Sequence, residues 1–182
     1  MTRERSAPRR RDDVLPLLAP EPGWSALTPQ TLWKSARSFV STDSEGDRLR
    51  VRYYQRDADG ALVGKIWFGP GCQGPPGHAH GGSLAAILDE AMGAASWLAG
   101  YSVVAARLTT HFRLMMPLGT VARLETRIDR LEGRKVFTHG ALLGPAGELY
   151  AEAEGLFVRI ELERFQQMAR DAEQLFRVVS SE

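Results

Sequence analysis

The chain has 182 residues, 43% of them hydrophobic, which is enough for one core without disulfide or metal staples. Its 23 Lys and Arg stand against 22 Asp and Glu, so a formal net charge of +1 gives no global field for nucleic acid, and any phosphate-bearing ligand has to be met by a local basic patch. Cys72 is the only cysteine, which excludes an intrachain disulfide framework and a multi-cysteine zinc site and suits a reducing, cytoplasmic setting.

No stretch approaches the roughly 20 apolar residues of a membrane span, and the start lacks the apolar segment of a secretory signal, so a soluble protein is expected. Residues 1–23 carry Arg3, Arg5, Arg9, Arg10 and Arg11 diluted by Glu4, Asp12 and Asp13, with only the run Val14 to Ala19 to bury. They read as a flexible arm, loose or draped on the surface, ahead of a single domain over 24–182 with its core at about 48–161. Thr28 offers a helix N-cap with Pro29 at the first helical position, and Leu32, Trp33, Ala36, Phe39 and Val40 follow at helical spacing.

Arg48 to Arg56 and Ala61 to Phe68 are strand-like runs joined through Asp59-Gly60, a pair that takes a hairpin turn readily. From Gly69 to Gly77 four glycines and three prolines fall in nine residues, so this segment is irregular. Gly82 to Leu98 is small or apolar on nearly every side, which predicts a helix buried all round. Four β-rich runs follow, Val103 to Leu114, Val121 to Leu131, Arg134 to Leu143 and Leu149 to Glu161. Their short links at Pro117-Leu118-Gly119, Glu132-Gly133 and Pro145-Ala146-Gly147 predict antiparallel neighbours. Over about 162–178, Phe165, Met168, Ala172, Leu175 and Phe176 share one helical face that should pack on the domain or on a partner.

A hairpin, one buried helix and a four-strand antiparallel meander are most economically packed by wrapping the sheet around the helix. The expected class is therefore α+β, a hotdog fold with extra N- and C-terminal helices.

The chemistry-bearing stretch runs from His78 to Gly93, where His80-Gly81-Gly82 opens the central helix and Asp89 lies on its third turn. The first amides of a helix are unpaired and sit at its positive end, so those around Gly81 and Gly82 suit a carbonyl oxygen and the oxyanion it becomes. Asp89 lies seven residues past Gly82, roughly 10 Å along the helix at 1.5 Å per residue. One chain serves both roles poorly, whereas two antiparallel helices at a dimer interface bring an amide and an acid together. An Asp among Ile87, Leu88 and Met92 should have its pKa raised towards that of a useful base. Glu90 projects about 100° away and is read as a structural or surface partner.

His-Gly-Gly, six further residues and then an acid resembles the signature of the hotdog acyl-CoA thioesterases, above all the branch with the animal mitochondrial long-chain enzymes. The resemblance runs from about Gly69 to Ile160 and includes Arg113, Pro117-Leu118 and Glu132-Gly133-Arg134-Lys135. It implies hydrolysis of an acyl-CoA or acyl-carrier-protein thioester, with Asp89 either activating water or attacking the carbonyl directly, and with no cofactor beyond the CoA of the substrate. It also implies a homodimer or a dimer of dimers. His80 either orients the glycine loop or contacts the thioester. His78 and His80 lack a third ligand, so no metal is expected. Cys72 has no evident activating base and is read as incidental.

The family's water-positioning threonine falls at Ala105 in this chain, and Thr109, two residue pairs along the strand, or Ser83 in the helix's first turn are the candidate replacements. Arg134 and Lys135, with Arg113 behind them, are the candidates for the CoA phosphates, against a reading as solvated turn charges. Two other functions compete: a non-catalytic acyl-thioester binder, and a hotdog hydratase or dehydratase of enoyl or 3-hydroxyacyl thioesters.

Overall fold

The computed structural model describes residues 14–27, 39–41 and 47–179. Its strands are β1 (Trp24–Ala26), β2 (Leu49–Arg56), β3 (Leu62–Phe68), β4 (Val103–Phe112), β5 (Val121–Glu132), β6 (Lys135–Leu143) and β7 (Leu149–Arg159). The helices are α1 (Gly81–Leu98), between β3 and β4, and α2 (Leu162–Val179), after β7. All the strands join one antiparallel sheet in the order β1-β2-β3-β5-β6-β7-β4. This is the hotdog fold anticipated from the sequence.

Alternation along the strands explains where the core sits. In β6, Val136, Thr138, Gly140 and Leu142 are buried while the residues between them are partly or fully exposed, and Ala122, Leu124 and Thr126 repeat the pattern in β5. The buried face receives Leu84, Ile87, Leu88, Ala91 and Met92 of α1. Gly140 permits the close approach, since a Cβ there would lie 3.1 Å from Leu88 Cδ2 and 3.2 Å from Met92 Cγ. The helix is not covered all round as its composition predicts. Residues 91–96 are fully buried, but Gly82 is exposed and Ser83, Ala85, Ala86, Asp89 and Glu90 are only half-buried.

The expected four-strand meander is corrected in one respect. β5, β6 and β7 are consecutive neighbours, but β4 pairs with β7 and not with β5. The link between them, 113–120, is instead captured by the Gly/Pro loop: Ala79 N–H donates to the Met116 carbonyl (2.8 Å), Leu118 N–H to Gly77 (3.0 Å) and Gly119 N–H to Phe68 (2.7 Å). Those bonds carry the chain across the end of α1 and insert β5 beside β3, leaving β4 as an edge with its far side free of other described strands.

Residues 14–18 drape over the outer face of the sheet, where Val14 and Leu18 pack on Trp67 and the Tyr54 hydroxyl donates to the Leu18 carbonyl. This is the one run the sequence marks as having something to bury. Most of the helix expected after Thr28 lies outside the described residues; Phe39 and Val40 fall in a turn, with Val40 buried. At the other end, Phe165 of α2 meets Trp97 with ring centroids 4.7 Å apart, while Met168 is exposed. No helix among the described residues is long and apolar enough to cross a membrane.

Candidate active site

The helix N-terminus is held by its own histidine. His80 is the N-cap of α1, and its ring Nδ1 accepts the Gly82 N–H at 2.9 Å. Because that amide can only donate, Nδ1 carries no proton, which assigns the neutral Nε2–H tautomer. The His80 carbonyl accepts both the Ser83 N–H (2.9 Å) and the Ser83 hydroxyl (2.7 Å), and its own N–H donates to the Cys72 carbonyl at 2.7 Å. Gly82 must lack a side chain here, since a Cβ would lie 2.9 Å from His80 Nδ1.

This arrangement divides the two glycines that the sequence treats together. The Gly82 amide is consumed by the cap, and Gly81 provides the amide left without a partner among the described residues. A Cβ on Gly81 would meet the Phe112 ring at 3.3 Å, so the end of β4 flanks this donor. Ser83, a candidate replacement for the family threonine, has its hydroxyl committed to the cap.

Asp89 lines an open groove of about 360 Å³ with Ala85, Ala86, Ala105, Ala106, Arg107 and Leu108. Its Oδ1 is buried without a hydrogen-bond partner among the described residues. Burial raises its pKa above the ordinary carboxylate value, and the neighbouring Glu90 charge adds to the rise. Glu90 itself accepts the Tyr53 hydroxyl at 2.8 Å, the structural partnership expected of it.

The same groove corrects the placement of Thr109. In the register of β4 on β7, Ala105 faces Phe157 and Arg107 faces Leu156, so Ala106 is an extra, unpaired residue. The bulge reverses the alternation beyond it. Residues directly opposite each other share a face, so Ala105, Leu108 and Thr110 lie with inward-facing Phe157, Gly155 and Ala153, whereas Thr109 lies with outward-facing Glu154. Thr109 therefore does not share the face of Ala105 as a regular strand would require.

The candidate cations separate in space. Arg113 follows Phe112 at the Gly81 end and is ion-paired to Glu152 at 2.7 Å. Arg134 and Lys135 lie by the C-terminal end of α1: Lys135 pairs with Val158, Val103 with Arg159, and Arg134 donates to the Arg159 carbonyl at 3.0 Å. Within one chain they stand about 25 Å from Gly81, the length of the helix. Among the other sequence candidates, His78 Nδ1 faces the Pro76 carbonyl at 2.9 Å. Burial pushes the Cys72 thiol up, away from the thiolate a nucleophile needs.

The sheet is thus wrapped on a helix whose first turn offers a free amide and whose third turn carries a desolvated acid. Over residues 76–144 the chain carries a thioesterase-superfamily domain, matching that family's model. The chain is 34% identical over 154 residues to acyl-coenzyme A thioesterase THEM5 of Mus musculus, covering 84% of this chain and 61% of that protein. It is 37% identical to acyl-coenzyme A thioesterase THEM4 of Bos taurus, covering 76% of this chain and 57% of that protein. The chain thus spans less than two thirds of either relative. A crystal structure of a thioesterase superfamily protein superposes with a TM-score of 0.59 at 31% identity, covering 64% of this chain and 56% of that one.

Proposed function

We propose that the chain hydrolyses acyl-CoA thioesters in a site completed by a second copy of itself. The observation that carries this reading is the division of labour along α1. Gly81 has a free amide beside the capped first turn, and Asp89 has a desolvated, unpaired carboxylate about 12 Å further on. Joining two β4 edges would set two α1 helices antiparallel and bring Gly81 of one copy to Asp89 of the other. It would also carry the Arg134-Lys135 turn of one copy towards the Gly81 end of the other, where the CoA phosphates need cations.

In the reaction, the Gly81 amide donates to the thioester carbonyl and then to the tetrahedral oxyanion. Asp89 of the second copy takes a proton from water as the water oxygen bonds to the carbonyl carbon. The carbon–sulfur bond breaks, and the CoA thiolate takes that proton back. Direct attack by Asp89 would instead give a mixed anhydride that water then opens. The scheme needs no metal or further cofactor.

The test is thiol release from short, long and aromatic acyl-CoAs by the wild type, Asp89→Asn and Asp89→Ala. A loss of about 10²–10⁴-fold in both variants, with the assembly intact, is expected for a general base. Hydrolysis unchanged in Asp89→Asn would overturn the reading. Ala105 favours one alternative, because the side chains lining the groove beside Asp89 carry no hydroxyl. If the wild type releases no thiol yet is thermally stabilised by acyl-CoA, the protein is an acyl-thioester binder.

A further inference from the structure

A second cavity lies on the other flank of the α1 N-terminus, towards β2. It is half-enclosed, about 200 Å³ in volume, and Phe39, Val40, Leu49, Cys72 and Ala86 give it a mainly apolar lining, with Arg48 and Gln73 as polar exceptions beside Gly71. Its lining also includes His80, Gly82 and Ser83, the residues that set up the capped first turn. Ala86 also lines the Asp89 groove, so cavity and groove meet across one small side chain. Positions 82 and 86 fall on one helical face, so the cavity lies directly beside the capped turn.

The geometry points to this cavity as the acyl pocket, sized for a compact group of about six to eight carbons, whether a straight chain or a single aromatic ring. The inference rests on the thioesterase reading and adds the substrate class to it. Gly82, next to the free Gly81 amide, lines the cavity, so the acyl group of a thioester held at that amide can enter it while the attacking acid comes from the second copy. The lining is mainly apolar and so favours an acyl group over pantetheine, whose amides would have only the Arg48 and Gln73 side chains to meet away from the capped turn. An apolar cavity of roughly 150 Å³ is enough for benzene, so about 200 Å³ holds a ring with one or two further carbons, but not a long chain.

The experiment separates binding from hydrolysis by using S-alkyl-CoA thioethers, which cannot be cleaved. Calorimetry with the full chain would give dissociation constants for ethyl-, hexyl-, phenylethyl- and dodecyl-CoA. Each buried methylene contributes about fourfold in affinity. The affinity should therefore climb steeply from ethyl to hexyl, be similar for phenylethyl, and gain nothing further at dodecyl. Cys72→Leu fills the cavity and should cut the hexyl-to-ethyl affinity ratio at least tenfold. Leu49→Ala enlarges it and should move the optimum to a longer chain. Leu49→Val is the milder form should the alanine variant not fold. Opposite shifts from the two substitutions cannot arise from general damage to the protein. A flat profile, a profile that keeps rising to dodecyl, or ratios unmoved in both variants would overturn the assignment, whatever the hydrolysis assay reports.

Discussion

Replacing Asp89 with Asn should weaken catalysis and strengthen the fold at once. Asp89 Oδ1 is buried without a hydrogen-bond partner among the described residues, and burial together with the Glu90 charge raises its pKa. The folded protein therefore binds this proton more tightly than the unfolded chain does. Between the unfolded and the raised folded pKa the native state holds more protons, so stability falls as pH rises through that window, then levels off above it. At pH 8 the ionised carboxylate is destabilising. An Asn amide lacks partners there as the carboxyl does, so only the desolvation of the charge and its repulsion from Glu90 are relieved, and the partial exposure of Asp89 keeps that to about 1 kcal/mol. Asn removes the charge at nearly constant shape and should raise stability by about 1 kcal/mol, a few degrees in Tm for a chain of this size. Thermal melts of both proteins at pH 8 and pH 4, alongside thiol release, check the prediction. The Tm gain should be present at pH 8 and shrink towards pH 4 as the wild-type carboxyl takes up its proton, while turnover falls by about 10²–10⁴-fold at pH 8. An Asn variant less stable than wild type at pH 8 would refute the reasoning, because Asp89 would then be paired in the working assembly. The same raised pKa sets the acid limb of the kcat/KM profile above the ordinary carboxylate range.

Removing the ring that caps α1, by His80→Ala, should cost about 1 kcal/mol in a urea melt and lower kcat. His80→Asn, a good N-cap, should recover most of the stability. Tyr53→Phe leaves Glu90 Oε1 without the donor it now has at 2.8 Å, and a loss of about 1–3 kcal/mol is expected by denaturant unfolding. Thr109 faces away from the groove, so Thr109→Val should change kcat/KM less than twofold. A tenfold loss would mean that the face assignment beyond the Ala106 bulge is wrong. Deleting Ala106 would remove the bulge and turn residues 107–112 over; the expected result is failure to fold, read by circular dichroism.

Elements with a strong local signature were legible. The runs of strand-forming residues gave the limits of the six long strands to within a residue or two, because most are bounded by Gly, Pro or a turn pair, and the two ends that are not, after Phe112 and Arg159, are the ones read two residues long. The small, apolar stretch after Gly81 gave α1. Local pattern carried less about partners. A link of eight residues, 113–120, reads as a tight turn between neighbours, but the backbone acceptors at Gly77 and Phe68 that pull it across the sheet belong to a segment far back in the chain. The same limit hid the role of His80. Histidine is not among the preferred caps, and only the return of its ring to the Gly82 amide reveals the bond.

The bulge at Ala106 shows why reading the site from a family pattern is harder than reading the fold. Two adjacent alanines in a strand carry almost no alternation, so nothing in Ala105-Ala106 marks where the inward face changes parity. Yet every later residue of β4 depends on it. A count from Ala105 selects Thr109; the ladder to β7 selects Leu108 and Thr110 for the inner face. With the Ser83 hydroxyl also spent on the His80 carbonyl, neither hydroxyl drawn from the sequence is free beside Asp89. Any water that Asp89 activates must then be oriented by Thr110, which the bulge turns to the inner face, by backbone groups, by the second copy or by the substrate, and these are sources that one chain's sequence does not mark as a motif.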